Sequence, residues 1–187
     1  MRRIVILGIT GSGKTTFGHK LGAALGLRVT DLDDLYWLPN WVERDTPAFY
    51  DLAEKTAAED AWVIVGNYSK VRQAVWPLAD TFIWLDYSFS HVFMQLVRRS
   101  IRRASDKTPI CNGNIETWGK LFSKDSIMIW LFKSYARTRR NYGEIFAGTG
   151  FAPKVTYIRL RCRRDADRFL AGISPANKII TEERQTS

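Results

Sequence analysis

Residues 8–15 read Gly8-Ile9-Thr10-Gly11-Ser12-Gly13-Lys14-Thr15, and the run Arg3-Ile4-Val5-Ile6-Leu7 stands directly in front of them. The pattern G-x-x-x-x-G-K-[ST] between a buried strand and a helix start commits the chain to a strand–loop–helix unit whose turn cradles phosphate. Glycines let the backbone curl so that successive N–H groups point at an anion. Lys14 is spaced to reach the terminal phosphates, and the Thr15 hydroxyl to ligate Mg²⁺. The helix opening near Lys14 adds the positive end of its dipole. Gly8, Gly11, Ser12, Gly13, Lys14, Thr15 and Thr16 are therefore the expected binding residues for a nucleoside triphosphate.

Past this loop, helical and strand patterns alternate. Phe17, Leu21 and Leu25 recur at helical spacing until Gly26. Leu27–Leu32 reads as a short strand running into Asp31-Leu32-Asp33-Asp34, with Asp31 and Asp33 on one face of its extended end. Thr46-Pro47 reads as a helix cap followed by proline at the first helical position, opening a helix to about Asp60. Ala61–Val65 and Thr81–Leu85 are buried strands, and a helix follows from about Ser90 to Ala104. Residues 105–124 are polar, contain glycine and lack periodicity, which predicts a mobile segment. A long helix from about Asp125 to Phe146, a strand Val155–Leu160 and a helix Asp165–Ala171 complete the pattern, with a frayed tail after about residue 174. The alternation predicts a single α/β domain over residues 1–187, a P-loop NTPase fold with a parallel five-stranded sheet flanked by helices and the ligand along one sheet edge.

Composition bears on partners and place. No apolar stretch approaches the ~20 residues that span a bilayer, and the first apolar run ends in the glycine loop rather than in a secretory cleavage pattern. Cys111 and Cys162 have neither metal-ligand spacing nor disulfide density, so both are expected as reduced thiols of a cytoplasmic protein with no membrane partner. The net charge of +9 is uneven, residues 1–93 balancing at −2 and residues 94–187 at +11. The second half therefore meets something anionic, either a polyphosphate held over the loop or a nucleic acid.

Three features bear on chemistry. Asp33, in the acidic cluster at the end of the second strand, can hold Mg²⁺ or accept the proton of a hydroxyl attacking a γ-phosphate, with Asp31 near the same ion. Gly66-Asn67-Tyr68-Ser69-Lys70-Val71-Arg72 leaves the third strand, offering hydrogen bonds from Asn67 and Tyr68 and a planar fork from Arg72. Arg98/Arg102 and Arg99/Arg103 form (i, i+4) pairs, and Lys133/Arg137 with Arg139 and Arg140 a second cluster. Two basic helix ends around a flexible segment, over residues 98–140, suit an arginine-rich lid that closes on a triphosphate and excludes water. Tyr36, Trp37, Trp41, Phe49 and Tyr50 offer an aromatic wall for an acceptor. Cys111-Asn112-Gly113-Asn114 reads as a turn without a nucleophile, and His19 and His91 as structural.

With these residues in view, the chain resembles the adenylate-kinase-related small P-loop kinases, over about residues 1–170. The resemblance rests on the loop Gly8–Thr16, Leu35-Tyr36-Trp37-x-Pro39-Asn40-Trp41, Trp62-Val63-Ile64-x-Gly66-Asn67-Tyr68, Ile83-Trp84-Leu85-Asp86 and the arginine helix. More narrowly it is similar to proteins labelled topology-modulation proteins. This resemblance implies a nucleoside/nucleotide-kinase-like fold, ATP and Mg²⁺ as cofactors, and Arg161 or Arg163 packed near the adenine. Related chains carry Asp before Gly-Asn-Tyr, where this one has Val65, so the metal is expected to rely on Thr15, the phosphates and Asp33.

The reading that follows is an ATP:acceptor phosphotransferase. Lys14 sits on the β/γ-phosphates and Thr15 and Asp33 hold the metal. Asp33 orients or deprotonates the acceptor hydroxyl, and Asn67, Tyr68 and Arg72 bind the acceptor. Arg98, Arg102 and Arg137 close over the transferring group. The acceptor is a nucleoside monophosphate, a nucleoside or a hydroxyl-bearing metabolite. The alternative is a nucleotide-dependent nucleic-acid-binding or regulatory ATPase. It is not favoured, because no helix-turn-helix, zinc or RNA-recognition signature is present and the aromatics are not interleaved with the basic clusters.

Overall fold

The computed structural model describes residues 1–121, 126–149 and 155–173. Its centre is β1 (Arg3–Gly8), buried along nearly its whole length. The elements that follow are α1 (Lys14–Leu25), β2 (Val29–Asp31), α2 (Leu32–Tyr36), β3 (Trp37–Leu38), β4 (Val42–Glu43), α3 (Thr46–Ala57), β5 (Trp62–Val65) and α4 (Arg72–Val75). Then come β6 (Thr81–Leu85), α5 (Phe89–Asp106), β7 (Pro109–Ile110), β8 (Asn114–Ile115), α6 (Trp118–Leu121), α7 (Ile127–Glu144), β9 (Thr156–Leu160) and α8 (Arg163–Ile173). β2, β5, β1, β6 and β9 lie side by side in that order, all parallel. Among the described residues, no helix is long and apolar enough to cross a membrane.

Strand side chains alternate between two cores, as a pleated sheet covered on both faces requires. Val5, Leu7, Trp62, Ile64, Phe82 and Trp84 join Phe49 of α3, Trp76 and Tyr142 of α7 on one face. Ile4, Ile6, Val63, Val65, Ile83 and Leu85 join Phe17 and Leu21 of α1, Leu96 of α5 and Leu131 of α7 on the other. Burying a side chain the size of Phe49, which is 0% exposed, is worth about 1.5–3 kcal/mol. The parallel register brings Gly8, Asp31, Val65 and Leu85 to one edge of the sheet.

Local chemistry shifts several expected boundaries. The second strand ends at Asp31, because the Asp31 carboxylate accepts from the Asp33 N–H at 3.0 Å and starts α2 at Leu32. Asp31 and Asp33 therefore do not share one face of an extended strand. Asp31 is a helix cap and Asp33 a helical residue. At α3 the cap is Asp45 rather than Thr46, its carboxylate accepting from the Ala48 N–H at 3.0 Å, and the helix ends at Ala57 rather than near Asp60. Within the segment expected to be mobile, residues 109–115 form the β7–β8 hairpin and Trp118–Leu121 a helical turn. Residues 122–125, with the expected helix start at Asp125, and the tail after about 174 lie outside the described residues. α7 is capped by the Ser126 hydroxyl and runs into a π-helical turn over Ile145–Thr149.

Candidate active site

The glycine loop leaves β1 and closes on α1. Gly11 (φ +79°) and Gly13 (φ +83°) occupy the left-handed region. Gly13 caps α1 without any side-chain hydrogen bond, leaving the first-turn amides directed at the space in front of the helix. A Cβ on Gly11 would stand 3.0 Å from both the Leu96 Cβ and the Val92 carbonyl oxygen, so α5 rests directly on the loop. Asn67 buttresses its other end. The Gly8 N–H donates to the Asn67 amide oxygen at 3.3 Å, and the Asn67 amide donates to the Gly8 carbonyl.

Lys14 Nζ folds back to the Ile9 carbonyl at 3.2 Å. Burial lowers its pKa, while the carboxylates of Asp33 and Asp31 oppose that shift. The Thr15 hydroxyl donates to the Asp31 carboxylate at 2.6 Å. Burial, reinforced by Asp33, pushes Asp31 up to about 6 against the opposing Thr15 hydrogen bond. Asp31 lies beside Val65 in the strand register, so the neighbouring strand supplies a carboxylate at the edge where β5 has valine. The Tyr68 hydroxyl donates to Asp33 at 2.7 Å, and burial together with Asp33 holds the phenol protonated.

A cleft of about 420 Å³ joins these groups to α5. Its walls include Gly11, Gly13, Lys14, Thr15, Thr16 and Asp33 on one side and Gln95, Arg98, Arg99, Arg102 and Arg103 on the other. Arg99 has its Nε enclosed with no hydrogen-bond partner, and burial followed by the adjacent Arg103 lowers its pKa. Arg103 is paired with Glu116 at 2.9 Å. Such a cleft presents cations, loop amides and one carboxylate to a polyphosphate.

Among the described residues, no group of three or more His, Cys, Asp or Glu forms an all-protein metal cage. A hydroxyl and a carboxylate held together at Thr15 and Asp31, with Asp33 nearby, fit a cation that keeps several waters and takes its other ligands from phosphates, as Mg²⁺ does.

The remaining expected residues are elsewhere. Ser12 is buried beneath the loop, its hydroxyl without a hydrogen-bond partner and close to where a Gly8 Cβ would sit. Arg137 is exposed on α7 and does not line the cleft. Arg72 lies with its guanidinium 4.2 Å from the Trp76 ring centroid, its Nε enclosed and unpartnered. Arg161, between β9 and α8, and Arg163, the first residue of α8, are exposed, and the Arg161 N–H donates to Asp165 at 3.1 Å. The Arg139 guanidinium is engaged by Asp86 at 2.9 Å. Asp86 also binds Arg159 at 2.6 Å, and Arg159 stacks over Trp84.

Asp31's bond to Thr15 was not visible in the sequence, because it depends on which strands pair. Gln95 carried a signal: residues 95, 98, 99 and 102 fall at i, i+3, i+4 and i+7, one stripe of a helix.

No protein-family model matches the chain. Among curated proteins it is similar to the thermosensitive gluconokinase of Escherichia coli (strain K12), 26% identical over 116 residues. That match covers 51% of this chain and 61% of the gluconokinase, less than two thirds of the relative's length. Among solved structures, the unliganded sugar kinase from Janibacter sp. HTCC2649 matches with a TM-score of 0.53 and 19% identity, covering 95% of this chain and 98% of that one. Shikimate kinase from Acinetobacter baumannii, in complex with shikimate, matches with a TM-score of 0.56 and 14% identity, covering 97% and 94%. The chain has the α/β fold of these small P-loop kinases.

Proposed function

We propose that this chain transfers the γ-phosphoryl group of ATP to a hydroxyl group of a small polyhydroxylated metabolite. The observation that carries the reading is Asp33, a carboxylate in one cleft with the phosphate loop, Lys14 and the arginines of α5. The loop amides and Lys14 bind the triphosphate, with Lys14 exchanging its Ile9 carbonyl for phosphate oxygen. Thr15 and Asp31 hold the cation, in place of the acid missing at Val65, with Asp33 close by. Mg²⁺ held there by Thr15 and Asp31 would supply neutralisation of the triphosphate's charge.

Asp33 accepts the acceptor's proton as the hydroxyl oxygen bonds to the γ-phosphorus and the bond to the ADP oxygen breaks. Tyr68 holds one Asp33 oxygen, which fixes the carboxylate and leaves the other for the acceptor. Arg98, Arg99 and Arg102 stabilise charge on the transferring group. Asn67 acts through the loop it braces rather than on the acceptor. Arg72 serves the acceptor only if its guanidinium leaves the Trp76 ring. Gluconokinase and shikimate kinase, among the proteins this chain resembles, favour a hydroxylated carboxylic acid over a nucleotide as acceptor. The narrower resemblance to topology-modulation proteins names an effect and adds no reaction.

The test is ADP release from purified protein with ATP and Mg²⁺ against a panel of polyhydroxylated acids, sugars, nucleosides and nucleoside monophosphates. The expected result is stimulation by an acid or sugar that disappears in Lys14→Ala. Absence of ATP binding to well-folded protein, or stimulation by no panel member above the water background, overturns the reading.

A second reading draws on α7, where Trp130 (47% exposed) and exposed Lys133 and Arg137 fall at i, i+3 and i+7, one stripe of the helix. Aromatics and cations on one helix favour a polyanion contact. Retention of DNA or RNA that falls steeply with salt supports it, and no retention at moderate salt removes it.

A further inference from the structure

The turn Cys111-Asn112-Gly113-Asn114 has no part in the chemistry above, yet it makes several hydrogen bonds to a segment some 75 positions away in sequence. Asn112 Nδ2 donates to the carbonyls of Asp34 at 2.8 Å and Trp37 at 2.7 Å. Asn114 is 3% exposed, donates to the Leu38 carbonyl at 2.9 Å, and accepts from the Trp41 N–H at 2.6 Å. The Trp41 indole N–H adds a bond to the Ile115 carbonyl at 3.2 Å. Five hydrogen bonds thus tie residues 112–115 to residues 34–41.

Both partners are held in uncommon backbone conformations. Cys111 (φ +38°), Asn112 (φ +63°) and Gly113 (φ +84°) are successive left-handed residues, and they face Asn40 (φ +64°) and Trp41 (φ +59°). A non-glycine residue there costs on the order of 1 kcal/mol. The strain is greatest for bulky Trp41. Each inter-segment hydrogen bond returns a similar amount, and Asn114 Oδ1 gives the part-buried Trp41 N–H its acceptor.

The two ends of this contact belong to opposite halves of the candidate site. Residues 34–41 continue from α2, which carries Asp33. The hairpin continues from α5, which carries the cleft arginines, and it is pinned to that helix by the Arg103–Glu116 pair.

We propose that Asn112 and Asn114 are positioning residues that clasp the arginine-bearing arm to the acceptor-side segment, so that nucleotide bound between the loop and α5 orders residues 37–41. The proposal rests on the nucleotide-site reading above, and it adds a route by which one substrate's site sets the other's.

Hydrogen–deuterium exchange on the full chain tests it, with and without adenylyl imidodiphosphate and Mg²⁺. In the parent, nucleotide is expected to slow exchange of residues 37–41 and 109–115 together by tenfold or more. In Asn112→Ala/Asn114→Ala, protection of 37–41 is lost while calorimetric affinity for the analogue changes less than threefold. A structural role alone would loosen both segments without removing the nucleotide response. Should the double variant not fold, Asn112→Ala alone and Asn114→Asp, which keeps the acceptor for Trp41, give the same reading in graded form. Analogue binding that leaves 37–41 unprotected in the parent, or protects it equally in the variant, overturns the clasp. Failure of the analogue to bind the parent instead refutes the nucleotide reading. The clasp is then judged without nucleotide, by whether the two segments exchange at one shared rate in the parent, and separate rates overturn it.

Discussion

Asp31 and Asp33 are two residues apart and do different work because the chain turns from strand to helix between them. Asp31 caps α2 and holds the Thr15 hydroxyl, while Asp33 faces the cleft with Tyr68 on one oxygen. Replacing Asp33 with Asn keeps the shape and removes the proton acceptor. Turnover of the best acceptor is expected to fall by ~10²–10⁴-fold, with nucleotide affinity nearly unchanged. Steady-state rates and calorimetry on the same preparation check this. Cys111 gives a second prediction at this scale. Burial pushes its thiol up to about 12, with Asp33, Asp34 and Asp31 adding to the shift. Iodoacetamide at pH 8 therefore modifies the exposed Cys162 first and leaves Cys111 largely intact, as peptide mass spectrometry would read out.

Among the elements, α1 shows how closely this fold is packed. A Cβ on Gly22 would fall 2.2 Å from Val29 Cγ2 and 2.9 Å from the Leu27 carbonyl oxygen, so the helix lies flush on the sheet edge only because the side chain is absent. Gly22→Ala returns about 1 kcal/mol of helix propensity, but overpacking of this kind costs about 1–3 kcal/mol. With a backbone oxygen in the way, the net is destabilising. Gly143, in α7, has nothing within 4 Å of such a Cβ. Gly143→Ala is accordingly expected to stabilise by up to about 1 kcal/mol. Urea denaturation of the two variants should move in opposite directions.

The order of elements was legible because strand and helix periods and the loop motif are local. The short pieces were not. α2 hangs on one side-chain cap, and the β7–β8 hairpin on asparagine contacts with residues some 75 positions away in sequence. Nor did sequence say which basic residue of α7 engages a carboxylate. Arg137 and Arg139 differ by about 200° around the helix, and only the placement of Asp86 decides between them.

For the molecule as a whole, the first strand is fastened to the sheet by a carboxylate at its outer end. Asp80 accepts from the Arg2 N–H at 2.8 Å, the Arg3 N–H at 3.1 Å and the Thr81 hydroxyl at 2.7 Å. Burial alone would raise its pKa, but these hydrogen bonds outweigh it and leave it lowered from 3.8. Its contribution to stability is therefore complete above pH ~4 and is lost as pH falls through the depressed value. Asp80→Asn is expected to be less stable at neutral pH and to show a shallower loss between pH 4 and 3 in urea titrations. The charge asymmetry read from the sequence has a structural counterpart, since four arginines of α5 face the cleft.

The seating of α5 on Gly11 and Gly13 has a mechanical consequence. A helix whose Val92, Gln95 and Leu96 abut the phosphate cradle cannot swing away without tearing that cradle open. Arg98 and Arg99 are thus anchored to the base of the machine. The travel of any gate is confined to the portion outboard of Lys107, where the helix already breaks into a left-handed turn.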